Sequence, residues 1–195
     1  MMDKLSREDL MSLEEYAKQR KDFRSKVLEH KKPRKVRLSD HTTLYFEDRL
    51  TMQYQIQEML RVERIFEQEG IQEELDAYNP LIPDGSNLKA TFMVEYEDVE
   101  ERKHALARLI GVEDRVWVQV DGFDKVYAIA DEDMDREDEE KTSSVHFMRF
   151  ELSDEMVAAA KGGASINMGI DHENLTVSVS PVSEETHKSL LGDLQ

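Results

Sequence analysis

Two Glu-x-x-His pairs, Glu101/His104 and Glu184/His187, have the spacing closest to metal chemistry in this chain. A carboxylate and an imidazole three residues apart share one helix face, and di-iron bundles use that pairing twice, with two further glutamates. Chance alone supplies about 0.8 such pairs among 25 Glu and six His in 195 residues. The C-terminal half also offers no long helices to carry the further glutamates. These four residues therefore stand as weak metal candidates, and no cofactor is expected. The acidic run DEDMDREDEE opens like a calcium loop, with Asp131, Asp133 and Asp135 at positions one, three and five. Position six, which needs glycine, is Arg136, and position twelve, which needs a bidentate glutamate, is Thr142. A solvated linker is the simpler reading of 131–140.

Nucleotide and nucleophile motifs fail in the same way. Gly162-Gly163 lacks the lysine and spacing of a phosphate loop, and there is no Gly-x-Ser-x-Gly elbow. The run Lys31, Lys32, Arg34, Lys35 and Arg37 resembles a nucleic-acid patch in composition, but no aromatic residue interleaves it for base stacking. The chain has no cysteine, which excludes thiolate catalysis, iron–sulfur ligation and disulfides.

The charge is strongly biased. The first 37 residues hold 12 Lys/Arg against 7 Asp/Glu, a balance of +5, so the other 158 carry −22 of a total of −17. Such asymmetry orients a molecule on a partner and makes association salt-dependent. No apolar run reaches the roughly 18 residues of a membrane span, and MMDKLSREDL lacks a signal peptide's apolar stretch. A cytoplasmic location is expected.

The elements that must position these residues read as follows. Ser12 caps a helix that Pro33 closes. Short strands follow at Lys35 to Leu38 and Thr42 to Glu47, then a helix from Asp48 to about Gln68, broken by Gly70, and another from Ile71 to Tyr78. The turn cluster 83–87 is the candidate boundary between residues 1–82, with helices and a β-hairpin, and residues 88–195. Beyond it, strands at 88–96, 115–120, 125–130, 146–152, 165–171 and 175–180 alternate with short helices at 99–110, from Ser153, and from Ser183. Strands outnumber crossover helices, so an α+β fold with a mostly antiparallel sheet is predicted.

At about 100° per residue, the second helix places Met52, Ile56, Met59, Leu60 and Phe66 on one face, with Glu63 among them. Arg20 and Arg24 fall inside the apolar stripe of the first helix. A charge there is expensive unless paired, so an ion pair between Glu63 and Arg20 or Arg24 is predicted. Glu58 and Glu63 converging with histidines would mark a metal-dependent enzyme. Gln53, Gln57, Arg61 and Arg64 line the opposite face and form a candidate partner surface.

The segments LEEYAKQRKDFR, LYFEDRLTMQYQIQEMLRVERI, IQEELDAYNPLIP, ERKHALARLIGVEDRVWVQV and VHFMRFEL resemble the bacterial family called domain of unknown function 3501. The similarity covers nearly the whole chain and carries no catalytic residue with it. It implies a setting: members are typically encoded beside a rubrerythrin-like protein and an iron–sulfur oxidoreductase. A chain without cysteine holds no such cluster, so an accessory or docking protein is expected rather than a redox enzyme. The alternatives are a His/carboxylate metal enzyme and a polyanion-binding module.

Overall fold

A computed structural model describes residues 3–132 and 141–195. Helix α1 (Leu13–Lys31) begins at Ser12, whose side chain accepts from Glu15 N. Strands β1 (Lys35–Arg37) and β2 (Thr42–Glu47) form a hairpin, and α2 (Arg49–Val62) starts from the Asp48 cap. Then follow α3 (Gln68–Tyr78), β3 (Asn87–Val94), α4 (Val99–Arg108), β4 (Val116–Val120), β5 (Val126–Tyr127) and β6 (Ile129–Ala130). The chain continues through β7 (Val145–Glu151), α5 (Asp154–Lys161), β8 (Ile166–His172), β9 (Leu175–Val179) and α6 (Glu184–Leu191).

The strands form two antiparallel sheets, β1-β2-β3-β7-β6 and β5-β4-β8-β9. The period-two pattern of β3 sends Leu88, Ala90, Phe92 and Val94 to one side, where they join Leu44, Phe46, Met148 and Phe150. Val118, Ile166, Met168 and Ile170 of the second sheet complete the same core, closed by Leu106, Val157 and Leu190 from the helices. The fold is α+β, with a second sheet where one was predicted. The predicted strand 125–130 serves both. Val126–Tyr127 pairs with β4, Ala128 N donates to Val116 O at 2.8 Å, and Ile129–Ala130 pairs with β7. A strand that passes from one sheet to the other fixes how they pack.

The turn at 83–87 lies inside this architecture: β2 and β3, on its two sides, pair from Thr42↔Val94 to Glu47↔Lys89. Its Gly85 accepts from Gln195 N at 2.8 Å, which ties down the C-terminus. A smaller core of Leu5, Met52, Ile56, Leu60, Leu75 and Ile82 holds α2, α3 and the N-terminal segment together.

The second helix is shorter than predicted. It ends at Val62 because Arg64 adopts a left-handed conformation (φ 53°) and Ile65 N bonds back to Leu60 O at 2.9 Å, turning Ile65 onto the small core. Gly70, expected to break a helix, lies within α3. A Cβ there would meet Ile65 Cγ2 at 2.7 Å, so glycine lets this returning loop close.

Across β4 and β8, Gly169 faces Trp117. A Cβ at Gly169 would sit 2.4 Å from Val177 O and 2.5 Å from the indole, and neither a ladder carbonyl nor a ring that is 4% exposed can withdraw. Gly169→Ala is therefore expected to destabilise by about 1 to 3 kcal/mol through overpacking. Urea denaturation checks it; a loss under about 0.5 kcal/mol would mean the β4–β8 contact is loose.

Candidate functional site

The N-terminal helix pair gathers a cluster of cations. Tyr16 and Arg20, one turn apart on α1, both reach Glu58 of α2. Tyr16 Oη donates to Glu58 Oε1 at 2.7 Å, and Arg20 Nε and Nη2 donate to Oε1 and Oε2 at 2.7 and 3.1 Å. The Arg20 bonds hold the Glu58 carboxyl below the usual glutamate range, against the desolvation that opposes them. Burial, then Glu58, pushes the Tyr16 hydroxyl up. Arg20, Lys21 and Arg24 of α1 and Arg61 of α2 converge on a groove of about 440 Å³ floored by Ala17. Among the described residues Lys21, Arg24 and Arg61 have no acidic side chain within salt-bridge distance. Three of the four cations thus have no salt-bridge partner, and the fourth, Arg20, shares its carboxylate with Tyr16. The arginine forks present donors to the groove in the geometry that carboxylates match.

The predicted ion pair is corrected here. Glu63 is exposed at the C-cap of α2, and Arg20 pairs with Glu58, while Arg24 is exposed and faces the groove. The reason is the early end of α2, which removes Glu63 from any helical stripe. The predicted partner face also divides. Gln57 is fully buried and clamps Met11, accepting from its N at 2.6 Å and donating to its O at 3.2 Å. Gln53 donates to Asp9 O at 2.8 Å. These amides pair the N-terminal segment as a strand would, so they face protein rather than a partner. Arg61 enters the groove, and Arg64 stands exposed at the turn.

Glu58 is the residue the stripe arithmetic passed over. Glu58→Gln is expected to cost about 1 to 2 kcal/mol, as a partly exposed charge-assisted pair becomes neutral. The sign with pH follows from the lowered carboxyl. Its contribution is complete above the unfolded glutamate pKa near 4.5 and is lost as pH falls through the lower folded value. The wild-type advantage over Glu58→Gln, measured by denaturation, should therefore shrink below pH 4.5. An advantage constant from pH 7 to 3 would contradict it.

The basic run is not a continuous strip. Arg34 is 2% exposed and donates to Phe46 O, Glu47 O, Ser189 O and Oγ, and Asp193 Oδ2, which removes it from any nucleic-acid surface. Lys31 and Lys35 lie over Tyr54 and Tyr45, Lys32 pairs with Glu29, and Arg37 donates to the Ser39 and Asp40 carbonyls.

The metal candidates stay apart as well. Glu101 and His104 are exposed on α4, Glu184 pairs with Lys188 at 2.8 Å, and His187 Nε2 lies 3.2 Å from Ala160 O. His30 meets Asp48 at 2.5 Å, not Glu58 or Glu63. Among the described residues no group of three or more His, Asp or Glu is placed to hold a metal.

Of the acidic run, 133–140, with Asp133, Asp135 and Arg136, lies outside the described residues. Asp131 turns inward, its Oδ2 2.6 Å from His146 Nδ1 and its Oδ1 accepting from Phe147 N at 2.9 Å. His146 Nε2 lies 2.9 Å from Thr142 Oγ1, which donates to Glu113 Oε2 at 3.1 Å. Thr142, His146 and Asp131 thus stand in the order of a nucleophile, base and orienting acid. Thr142 is 1% exposed and His146 0%, so the hydroxyl has no space beside it for a substrate. The network anchors the start of β7 beneath the sheet. None of this was visible in the sequence, because its members come from three separate elements.

No helix is long and apolar enough to cross a membrane among the described residues. Comparison with known proteins places the chain among others of undefined activity. None of the curated proteins matches it. A crystal structure at 1.90 Å of a novel protein of unknown function from Burkholderia pseudomallei K96243 is 51% identical, with a TM-score of 0.94 over 99% of this chain and 100% of that one. The family described as "Protein of unknown function (DUF3501)" matches residues 4–194, from the N-terminal segment clamped by α2 to the C-terminal clamp at Gly85. The chain belongs to that family.

Proposed function

We propose that this protein is a docking subunit, without catalysis of its own, that presents the α1/α2 groove to an acidic surface of a redox partner. One observation carries the reading: Arg20, Lys21, Arg24 and Arg61 line one groove, and only Arg20 has a carboxylate partner, in a chain whose net charge is −17. Keeping unpaired cations together opposes folding slightly, and an anionic partner relieves that repulsion. A long polyanion suits the groove less well than a local acidic patch, since it would run onto the acidic remainder of the surface. The family setting supplies the partners proposed here, a rubrerythrin-like protein and an iron–sulfur oxidoreductase. In that arrangement the partners hold the metal centres and this chain holds them together.

Co-purification from the native host at low salt tests the proposal. Recovery of either neighbour, with roughly tenfold less at 0.5 M NaCl, is expected from charge-driven docking. Recovery of neither overturns it, and a stoichiometric transition metal in untagged protein would replace it with the metal-enzyme reading.

A further inference from the structure

A second site, independent of the docking groove, lies on the outer face of the five-stranded sheet. The C-terminal end of α3 and the turn Asn79–Leu81 stand over this face and leave a cleft of about 510 Å³. That volume suits a small ligand. Tyr78, Leu81, Ile129 and Phe147 give it apolar walls, and Ile129 is 41% exposed although it is an isoleucine on a strand. Its lining carries both signs of charge, with Asp76 bonded to Gln72 and Asp131 turned inward to His146 and Phe147 N, and the cations form its floor. Lys89 of β3 and Arg149 of β7 are direct partners in the antiparallel register, so two cations sit opposite one another on one face. Such a pair is unfavourable by itself.

The hydrogen bonding of the two cations differs. The Lys89 side chain is 11% exposed, and its ammonium donates once, to Pro80 O at 2.6 Å. The carboxylate nearest to it, Asp84, stands 3.9 Å away and is paired with Lys4 at 2.9 Å. An ammonium has three donors, so Lys89 keeps capacity for an acceptor from the cleft. Arg149 is occupied: Nε and Nη2 donate to Glu132 at 3.1 and 2.8 Å, and Nη1 donates to Glu151 at 2.6 Å. Glu132 comes from the chain just beyond β6, and its side chain is 49% exposed, so it can leave without disturbing the core.

We infer that this cleft binds a small monocarboxylate with an apolar body, its carboxylate displacing Glu132 from Arg149 and turning toward the spare donors of Lys89. Burial disfavours the Lys89 ammonium and lowers its pKa, a cost that an anion in the cleft would offset. The apolar walls give the ligand's body a place to lie, and the internal glutamate keeps the cation pair compensated when the cleft is empty.

Octanoate is the test probe, with 1-octanol as the neutral control, titrated by calorimetry and by chemical-shift mapping. Octanoate should bind saturably, at least roughly tenfold tighter than octanol, with shifts confined to the end of α3 and to β3, β6 and β7 around Lys89 and Arg149. Glu132→Gln, a change at an exposed side chain, should tighten octanoate about tenfold and leave octanol unchanged, since the charge competing for Arg149 is gone. Arg149→Gln should abolish the preference for the acid. Equal binding of acid and alcohol would reduce the cleft to an apolar patch and overturn the inference. So would an affinity that Glu132→Gln leaves unchanged, or no binding to either protein.

Discussion

Replacing Arg34 by methionine is expected to remove about 3 to 5 kcal/mol of folding stability, a large share of the 5 to 15 typical of a domain. The guanidinium joins parts of the chain far apart in sequence. It bonds the end of β2 through Phe46 O and Glu47 O, and the last turn of α6 through Ser189 O, which also accepts from the capping Gly192 N at 3.2 Å. Its shortest bond, 2.6 Å, goes to Asp193, whose side chain is 2% exposed. Methionine keeps the packing and strands that carboxylate in the interior.

The deficit should also depend on pH, with a definite sign. Burial already pushes the Asp193 carboxyl up to about 6 with Arg34 beside it, and losing the guanidinium raises it further. A carboxyl with a raised folded pKa opposes folding above that pKa and ceases to do so as it takes up its proton below it. The loss in Arg34→Met should therefore be largest near pH 8 and shrink as pH falls toward about 6, below which the carboxyl is protonated in both folded proteins and the difference levels off. Urea denaturation at pH 8 and pH 5 measures both. A deficit under about 1 kcal/mol at both values would show that Asp193 finds other partners or water.

The contrast between Arg34 and Glu63 shows what the sequence could and could not convey. Helix starts were legible because Ser12, Asp48, Ser153 and Ser183 cap by local chemistry: each side chain accepts from a backbone N–H three residues on. Strand alternation was legible for the same local reason, as in Leu88, Ala90, Phe92 and Val94. The end of α2 was not, since it depends on a left-handed Arg64, a conformation its residue type does not announce. That one turn left Glu63 exposed, and the half-buried carboxylate that meets Arg20 is Glu58. Arg34 sat in a basic run, and the acceptors that bury it lie 12, 13, 155 and 159 residues away. The split of 125–130 between two sheets is equally non-local, because either half reads as an ordinary strand. The groove itself was half visible: Arg61 was placed on a partner face, but its meeting with Arg24 depends on how α1 packs on α2.

The double substitution Arg24→Glu with Arg61→Glu is expected to have the largest functional effect. Both side chains are exposed, so the fold should tolerate it, while the groove changes by four units of charge. At surface dielectric each unit facing an opposite charge contributes on the order of 1 kcal/mol or less. The combined loss is about 2 to 4 kcal/mol, or roughly 30- to 1,000-fold in affinity for an acidic partner. Glu58→Gln should act in the opposite direction and tighten the complex, because it removes the carboxylate that neutralises Arg20 beside the groove. The decisive measurement is the affinity of the rubrerythrin-like or iron–sulfur neighbour for wild type and these two variants at low ionic strength. Docking through the groove predicts that the double reversal weakens the complex by at least roughly 30-fold and that Glu58→Gln strengthens it. Three equal affinities would contradict it.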